Sequence, residues 1–362
     1  RAFAFPLLLS FIFYLIKKKH LMLSMILILQ IFIYPPVAVV SMLTIFLLFF
    51  LPLLWTKNYH RDVREIKFLG ILLLLALFLL CGLYLFPDDF LGPLFSFEEI
   101  INMPEFFSRG RDPHFIDSFA ILHRYSIAEN VIGFSPYAPP TLILFFVSFI
   151  GLFLVLIKKI KVSRVICAAG FSGMILYFIS WFVFFRLFSP GRYLKFAAFI
   201  YLIFLSAATL NYIFAKLSSR TTRLLLLTIL VIGVYWPFLD GNVQYYGRKG
   251  LYDFLATLSR DSLIAGHPKE MDEIPLLCKR KVLVQRELSL PYYRKYYSEI
   301  SCRTRDFFRL YYSSDKNEAK AICDFYGIDY IVIDKEHFSN AYLEGGFFYH
   351  EPFNNFVKKI IF

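Results

Sequence analysis

Long apolar stretches alternate with short charged connections along the first two thirds of the chain. The apolar stretches cover residues 2–16, 21–34, 37–55, 67–86, 140–157, 165–187, 196–215 and 224–239. A helix needs about 20 mainly apolar residues to cross the hydrocarbon core of a bilayer. The pattern therefore predicts an α-helical polytopic transmembrane bundle of about 8 apolar segments over residues 1–246.

The last third of the chain has a different pattern, in which short apolar strands alternate with helical stretches. Strands are predicted near 262–266, 281–286 and 328–334, and the final "NNFVKKIIF" is predicted to add an edge strand. Apolar strands that are separated by helices favour a parallel sheet. We therefore predict a separate C-terminal α/β domain over residues 247–362.

Composition favours a membrane protein over a large soluble one. Of the 362 residues, 58% are hydrophobic and 18% are charged, whereas soluble domains carry about 25% charged residues. Residues 1–246 hold 21 Lys and Arg against 11 Asp and Glu, and residues 247–362 hold 18 against 16. Because the basic excess belongs to the membrane part, it reports orientation in the bilayer and does not indicate a nucleic-acid partner.

Basic residues concentrate in four of the connections. These are residues 17–20, 56–67, 158–164 and 216–223, which together carry 14 Lys and Arg against two acids. Basic connections stay on the cytoplasmic side, so an even number of crossings must separate them. The "YPPV" at 34–37 supplies the turn that this requires, because proline breaks helices. The loop 87–139, the segment 188–195 and the tail after 240 are then extracytoplasmic.

The stretch "FFRLFSPGRYLKFAAF" at 184–199 places three cations on the predicted outer face. Arg186 and Lys195 lie near helix ends, where such side chains can simply reach the lipid headgroups. Arg192 stands on a Ser-Pro-Gly turn beside Tyr193. A cation fixed at the membrane surface suits a phosphate group. Arg192 and Tyr193 are therefore predicted to bind the phosphate of a lipid-linked donor, with a membrane anchor as the alternative.

The long outer loop 87–139 is a second candidate site, because long ordered loops tend to carry function. Its "PEFFSRGRDPHF" contains Arg109 and Arg111, which could clamp a phosphate. Asp112 and His114 follow them and could exchange a proton or bind a metal. The alternative is a solvated loop that lies along the membrane, with an amphipathic helix over 116–131.

Carboxylates at two further places suit metal or ligand binding. Asp88 and Asp89 could hold a divalent cation, Mg²⁺ or Mn²⁺, through oxygen atoms. In the tail, the loop "SLIAGHPKEMDEIP" carries His267 and three acids, Glu270, Asp272 and Glu273. This loop follows a predicted strand, and ligands favour the carboxyl ends of such strands. It is therefore expected to face a substrate, although His267 alone is more typical of a surface residue.

Many spans, large outer loops and an outer α/β domain together resemble the GT-C superfamily of polytopic membrane glycosyltransferases, which includes oligosaccharyltransferase catalytic subunits and protein mannosyltransferases. The similarity is carried by "RLFSPGRY" (186–193), "DSLIAGHPKEMDEIPLLCKRKVLVQRELSLPYY" (261–293) and "YGIDYIVIDK" (326–335). The resemblance implies transfer of a hexose from a polyprenyl-phosphate-linked donor to an extracytoplasmic acceptor. The expected location is a bacterial plasma membrane.

The resemblance also carries an expectation about the catalytic residue. In GT-C enzymes the catalytic acid, usually Asp, lies in the first outer loop, just after the first span. This chain starts without an initiator Met and enters an apolar stretch at once. We therefore expect a fragment whose N-terminal part, with the catalytic Asp, is missing. The resemblance also implies that a basic residue contacts the polyprenyl phosphate of the donor. Arg192 is the residue of this chain that best matches this role.

Two other classes of function stay open from the sequence. A transporter or flippase of lipid-linked glycans would need polar residues at mid-membrane depth or paired broken helices. Only the "YPP" break at 34–36 qualifies, and it has no counterpart elsewhere in the chain. A non-catalytic membrane scaffold, whose tail binds a partner, is the third class.

Overall fold

The computed structural model describes residues 3–52, 63–84, 89–112, 139–183, 191–217 and 248–362, with isolated positions between 219 and 228. The chain is mostly helical. It divides into two compact units, one formed by 1–86 with 120–242 and the other by 87–119 with 243–362. We call them the helical unit and the tail unit.

The described part of the helical unit contains seven helices. They are α1 (Ala4–Ile16), α2 (His20–Ile33), α3 (Pro35–Ile45), α4 (Val63–Tyr84), α5 (Pro139–Leu156), α6 (Arg164–Val183) and α7 (Gly191–Lys216). A π-helical turn, Phe46–Phe50, continues α3, and a second one, Leu194–Ala198, lies inside α7. Seven of the eight predicted apolar stretches therefore form helices, and the stretch 224–239 lies almost wholly outside the described residues.

The predicted break at "YPPV" is confirmed. Helix α2 ends at Ile33, Tyr34 takes a non-helical conformation, and α3 begins at Pro35. Proline is accepted in the first turn of a helix because the amide hydrogens there have no intrahelical partner. The two prolines thus end one helix and start the next, and α2 and α3 pack against each other.

Small residues and hydroxyls join the helices of this unit. A Cβ atom on Gly173 of α6 would lie 2.6 Å from Ala197 Cβ and 2.9 Å from the Tyr193 carbonyl oxygen of α7. Ser148 of α5 and Ser206 of α7 share a hydrogen bond of 2.8 Å. Close approach at small residues and hydrogen bonds between helices are the contacts that hold helices together in lipid.

The outer surface of the helical unit is strongly apolar. On α4, Ile71, Leu74 and Phe78 are exposed by 67%, 69% and 75%. They follow a helical spacing, so they form one apolar face that water would solvate poorly. Over the described residues, Val63–Leu83 and Gly191–Lys216 are long and apolar enough to cross a membrane. At this coarse level the structure supports the predicted membrane association.

The tail unit contains three strands and five helices of six residues or more within its described residues. They are α8 (Lys249–Thr257), β1 (Leu263–Ala265), β2 (Lys281–Val282), α9 (Arg294–Tyr312), α10 (Lys316–Tyr326), β3 (Tyr330–Ile331), α11 (Asn340–Gly345) and α12 (Phe353–Ile361). Single helical turns occur at Phe97–Ile100, Pro104–Phe106, Ile274–Leu277 and Lys335–Phe338.

The three strands form one parallel sheet in the order β2-β1-β3. Leu263 pairs with Lys281, and Ile264 pairs with both Val282 and Tyr330. The positions of the three strands and their parallel pairing are confirmed, although each strand is shorter than predicted. Aromatic residues of α9 and of residues 348–353 form the main core beside the sheet.

The prediction of an edge strand in "NNFVKKIIF" was wrong, because residues 353–361 form helix α12. Phe353 and Val357 are four residues apart and both are buried, and Lys358 and Lys359 lie in the last turn. Burial at a spacing of four is helical, and cations favour a helix C-terminus. The five cysteines are all free thiols.

The described part of the outer loop folds onto the tail. The Phe95 amide donates to the Tyr292 carbonyl at 3.1 Å, and the Arg294 amide donates to the Pro93 carbonyl at 2.9 Å. The Tyr297 hydroxyl donates to Glu105 Oε1 at 2.5 Å in a buried site. Residues 89–112 and 248–362 are therefore one folded body, whereas the sequence grouped this loop with the membrane part.

Candidate functional site

The carboxyl edge of the sheet gathers ionisable side chains of the tail unit. β1 is the central strand, with β2 on one side and β3 on the other. The chain passes from β1 to β2 on one side, whereas β3 lies on the other side of β1, so the strand order reverses between β1 and β3. Ligands of parallel α/β sheets bind at such a point. The loop after β1 contains His267 and Glu270, and the loop after β3 contains Asp334 and His337.

Two carboxylates and one guanidinium form the centre of this cluster. Arg248 Nη2 lies 2.9 Å from Glu270 Oε1 and 3.7 Å from Asp334 Oδ2. The Glu270 side chain is 8% exposed, whereas those of Asp334 and Arg248 are 29% and 42% exposed. A half-exposed cation therefore pairs with one buried and one partly buried carboxylate.

His337 joins the acids to a tyrosine. Its Nε2 lies 3.7 Å from Glu270 Oε1, and its Nδ1 lies 3.2 Å from the Tyr311 hydroxyl. The Asp334 amide donates to the same hydroxyl at 3.0 Å. The hydroxyl oxygen accepts there, so its own hydrogen can go to His337 Nδ1. We therefore assign the imidazole hydrogen to Nε2, which faces Glu270.

His267 is buried beside this cluster, which corrects the expectation of a surface histidine. It is 2% exposed, because Phe308 and Tyr349 pack against its ring. Its Nε2 lies 3.0 Å from the Phe348 carbonyl oxygen, so Nε2 carries the hydrogen. Its Nδ1 has no hydrogen-bond partner among the described residues. The ring centres of His267 and His337 are 4.7 Å apart.

Burial and charge set the protonation of the cluster. Burial raises the pKa of the Glu270 carboxyl, with Arg248 opposing this shift and Asp334 adding to it. The Glu336 amide lowers the pKa of Asp334, and burial lowers the pKa of His337. At neutral pH, His337 is therefore neutral, and Glu270 is the carboxyl that takes up a proton first.

The arrangement is suited to two kinds of chemistry. Ligand atoms of Glu270, Asp334 and His337 all lie within 4.8 Å of one another. Carboxylate oxygen and imidazole nitrogen are ligands for divalent metal ions. A buried Glu beside a neutral His is also suited to passing a proton to or from a bound molecule.

The other two acids of the predicted strand-end loop have structural partners. Asp272 Oδ1 accepts from the Glu287 amide at 2.8 Å, and Glu273 Oε2 accepts from the Tyr252 hydroxyl at 3.0 Å. Both carboxylates thus tie the loop to neighbouring segments of the tail unit. Of the histidine and three acids predicted in this loop, His267 and Glu270 are the ones that lie in or beside the cluster.

Arg192 and Tyr193 lie on the first turn of α7, in the helical unit. The Arg192 side chain is half-buried and forms no ion pair with any described residue. Tyr193 is 0% exposed and belongs to the main core of the unit, together with Phe196 and Ala197. Its ring therefore contributes to packing, and the phosphate-binding hypothesis rests on the guanidinium of Arg192. Arg186 lies outside the described residues.

Two arginines of the outer loop contact the C-terminal part of the tail unit. Arg109 has a positive φ of 70°, and its carbonyl accepts from the Glu351 amide at 3.0 Å. Arg111 Nε donates to the Arg286 carbonyl at 3.0 Å, and Arg111 Nη2 lies 3.9 Å from Glu287 Oε2. Through these contacts, Arg111 links the outer loop to another segment of the same unit.

Of the acids and the histidine predicted in the same loop, Asp89 and Asp112 are described, and both contact the tail. The Tyr292 hydroxyl donates to Asp112 Oδ2, and the Asp89 carbonyl accepts from Lys295 Nζ at 2.8 Å. Asp88 and His114 lie outside the described residues. The Asp112 carboxylate is therefore engaged with the segment before α9, whereas Asp89 contacts α9 through its backbone.

Sequence reasoning named Glu270 but missed Asp334, His337 and Arg248. The signal for the first two was present, because "IDYIVIDKEH" has a predicted strand that ends in Asp, with His three residues later. The strand-end argument that selected Glu270 applies equally to this strand. Arg248 precedes α8 and carries no such signal. Only the fold brings it to the sheet.

No protein-family model matches the sequence, and no curated protein matches it.

Proposed function

We propose that this protein is a membrane-bound glycosyltransferase of the GT-C type, which moves a sugar from a polyprenyl-phosphate-linked donor to an extracytoplasmic acceptor. The observation that carries the proposal is the position of Arg192. It lies on the first turn of an apolar helix of 26 residues, Gly191–Lys216. A helix of that length spans about 39 Å, enough to cross a hydrocarbon core of about 30 Å.

The start of α7 is electrostatically suited to a phosphate. The first amide hydrogens of a helix lack intrahelical partners, and the helix dipole adds positive potential there. Arg192 adds a full charge, and it forms no ion pair with any described residue. The phosphate of a polyprenyl donor lies at the membrane surface, where the end of a spanning helix would meet it.

The backbone after Arg192 also departs from a regular helix. Residues Leu194–Ala198 form a π-helical turn, and such turns occur frequently at functional sites. Gly173 lets α6 approach this turn closely, since a Cβ there would lie 2.9 Å from the Tyr193 carbonyl oxygen. Close packing of this kind would fix the position of Arg192.

A cation at this position would act mainly on the leaving group. When the sugar is transferred, the bond between its anomeric carbon and the lipid phosphate breaks, and negative charge develops on the phosphate. A cation that is already in place stabilises this charge without reorganisation. Arginine suits the task because its planar guanidinium can donate two parallel hydrogen bonds to phosphate oxygens.

We place about eight spans in the membrane, with the basic connections in the cytoplasm. The tail, with its parallel sheet and helices, is then an extracytoplasmic α/β domain. Its carboxyl-edge cluster would be available to the acceptor or to the sugar.

The experiment that tests the function uses purified full-length protein in liposomes that contain a polyprenyl-phosphate-linked sugar with a radioactive label. A transferase moves the label to an added acceptor and releases polyprenyl phosphate. If intact labelled lipid crosses the bilayer without transfer, the protein is a flippase. If neither event occurs with a panel of donors and acceptors, the protein is a scaffold and the proposal is wrong.

A further inference from the structure

We propose that Glu270, Asp334 and His337 bind one divalent transition-metal ion, of the group that includes Zn²⁺ and Mn²⁺. The three side chains lie on two loops that leave adjacent parallel strands at the carboxyl edge of the sheet. The site lies wholly within the tail unit. It goes beyond the proposed transfer reaction and does not depend on it.

The distances between the ligand atoms suit a small cation. All three atoms lie within 4.8 Å of one another, and Glu270 Oε1 lies 3.7 Å from His337 Nε2. Metal–ligand bonds of about 2.0–2.2 Å hold the ligand atoms about 3–4.4 Å apart. Only a small contraction is therefore needed. Two carboxylates and one imidazole leave further coordination positions for water or a substrate oxygen.

The surroundings of His337 match those of a metal-bound histidine. Such a histidine usually makes a second hydrogen bond through its other ring nitrogen, which fixes the ring. Here His337 Nδ1 lies 3.2 Å from the Tyr311 hydroxyl. If the hydrogen moves from Nε2 to Nδ1, Tyr311 oxygen accepts it, and the Nε2 lone pair faces Glu270 and the ion.

A second, independent feature is the buried imidazole of His267. Its Nδ1 is an acceptor without a donor among the described residues, although the side chain is 2% exposed. A buried polar atom of this kind normally has a partner, often a water molecule or an ion. Its ring lies 4.7 Å from that of His337, so a water bound to the metal could donate to it.

Arg248 gives the proposal a directional test. Its guanidinium contacts both carboxylates, at 2.9 and 3.7 Å, and 42% of its side chain is exposed. It is therefore a counter-ion that can move into solvent when a divalent cation takes its place. Since the two cations compete for the same oxygens, removal of Arg248 should strengthen metal binding.

The experiment is titration of chelator-treated, full-length protein in detergent with Zn²⁺ and with Mn²⁺, followed by calorimetry. We expect one ion per chain, and with Co²⁺ we expect the absorption bands of a nitrogen- and oxygen-ligated ion. Asp334→Asn and His337→Gln should each weaken binding by more than about 100-fold, since loss of a residue that only supports a ligand costs about 10- to 100-fold. Asp261→Asn is the matched control, because Asp261 pairs with Lys281 at 3.0 Å in an exposed site. It should bind like the wild type.

Arg248→Gln keeps the test decisive if a ligand variant fails to fold. We expect this variant to bind the ion about 10-fold more tightly, since a neighbouring cation no longer competes. A damaged fold cannot produce such a gain. Equal affinity in the wild type and Asp334→Asn would overturn the site. So would the absence of binding in both the wild type and Arg248→Gln.

Discussion

At the scale of single residues, burial and neighbouring charge determine which ionisable groups can do chemistry. The Glu270 carboxyl is buried against Asp334, so it is held closer to its protonated form. The Glu99 carboxyl, by contrast, accepts from the Ser96 amide at 2.7 Å and has a lowered pKa. The two side chains are chemically identical, but their surroundings shift their pKa values in opposite directions.

A buried histidine makes the tail unit sensitive to acid. His350 is 6% exposed, and its Nδ1 lies 3.0 Å from the Glu351 carbonyl oxygen. Burial is the main cause that lowers the pKa of its imidazole to about 3. The Glu351 hydrogen bond opposes this shift, and the nearby charges of Arg111, Arg286 and Lys269 contribute to it. In the unfolded chain the pKa is about 6.5. Below that pH the imidazole becomes protonated in the unfolded state but stays neutral in the folded state.

We therefore expect the free energy of unfolding of the wild type to fall as the pH drops from about 6.5 toward 3. The contribution of His350 is at most about 1.4 kcal/mol per pH unit. His350→Asn keeps a hydrogen-bond donor near the same position but does not titrate. Its stability should depend less steeply on pH, as measured by denaturation of the full-length protein from pH 7 to pH 4. Identical slopes for the two proteins would contradict the pKa given for His350.

At the scale of elements, the helices of the helical unit pack through small residues. Gly173 lies against Ala197, and Gly170 lies against Tyr201, where a Cβ would come within 2.8 Å of the tyrosine Cβ. Gly151 of α5 has a similar contact with α7. Close packing of this kind leaves no room for even one methyl group.

Gly173→Ala should therefore lower stability by about 1–3 kcal/mol, because the added methyl group separates α6 from α7. It should also lower transfer activity, since the displaced turn carries Arg192. Gly82→Ala is the matched control, because a Cβ on Gly82 meets no atom within 4 Å. Thermal unfolding in detergent, with transfer assayed beside it, distinguishes the two. Equal stability of the two variants would contradict the packing described.

The sequence predicts the helices well. For the short strands it predicts the positions but not the ends. Apolar runs are long enough to locate α1 to α7, and Pro35 marks the break between α2 and α3. The strands are two or three residues long, so the pattern cannot set their ends. Helix α12 was mistaken for a strand because "FVKKIIF" is short, and a short apolar run suits either structure.

At the scale of the whole molecule, the chain combines a mainly apolar helical unit with a tail unit that contains a small parallel sheet. The sequence does not show that residues 89–112 fold with the tail, because their partners, such as Tyr292 and Glu351, are distant in the chain. The carboxyl-edge cluster was likewise only partly predicted, since parallel pairing of β1 with β3 is needed to bring Asp334 to Glu270.

Cys302 offers a native probe of the proposed topology. It is the exposed cysteine among the five, and it lies on α9 of the tail unit. If the tail is extracytoplasmic, a membrane-impermeant maleimide should label Cys302 in intact cells.

Lys159→Cys in a Cys302→Ser background probes the opposite side, since Lys159 is exposed in a basic connection. It should be labelled only after lysis. The reverse pattern would invert the topology and remove the outer phosphate site.

The most direct measurement of the central claim is the initial rate of polyprenyl phosphate release by Arg192 variants in liposomes that contain the lipid-linked donor. A hydrogen bond to a charged group contributes about 1.5–3 kcal/mol. Arg192→Ala should therefore reduce the rate by about 10- to 150-fold, and Arg192→Lys should restore part of it. Lys195→Ala is the control, because Lys195 is an exposed cation three residues further along α7. It should leave the rate nearly unchanged. A wild-type rate for Arg192→Ala, in a protein that is folded and inserted, would contradict the claim that this arginine binds the donor phosphate.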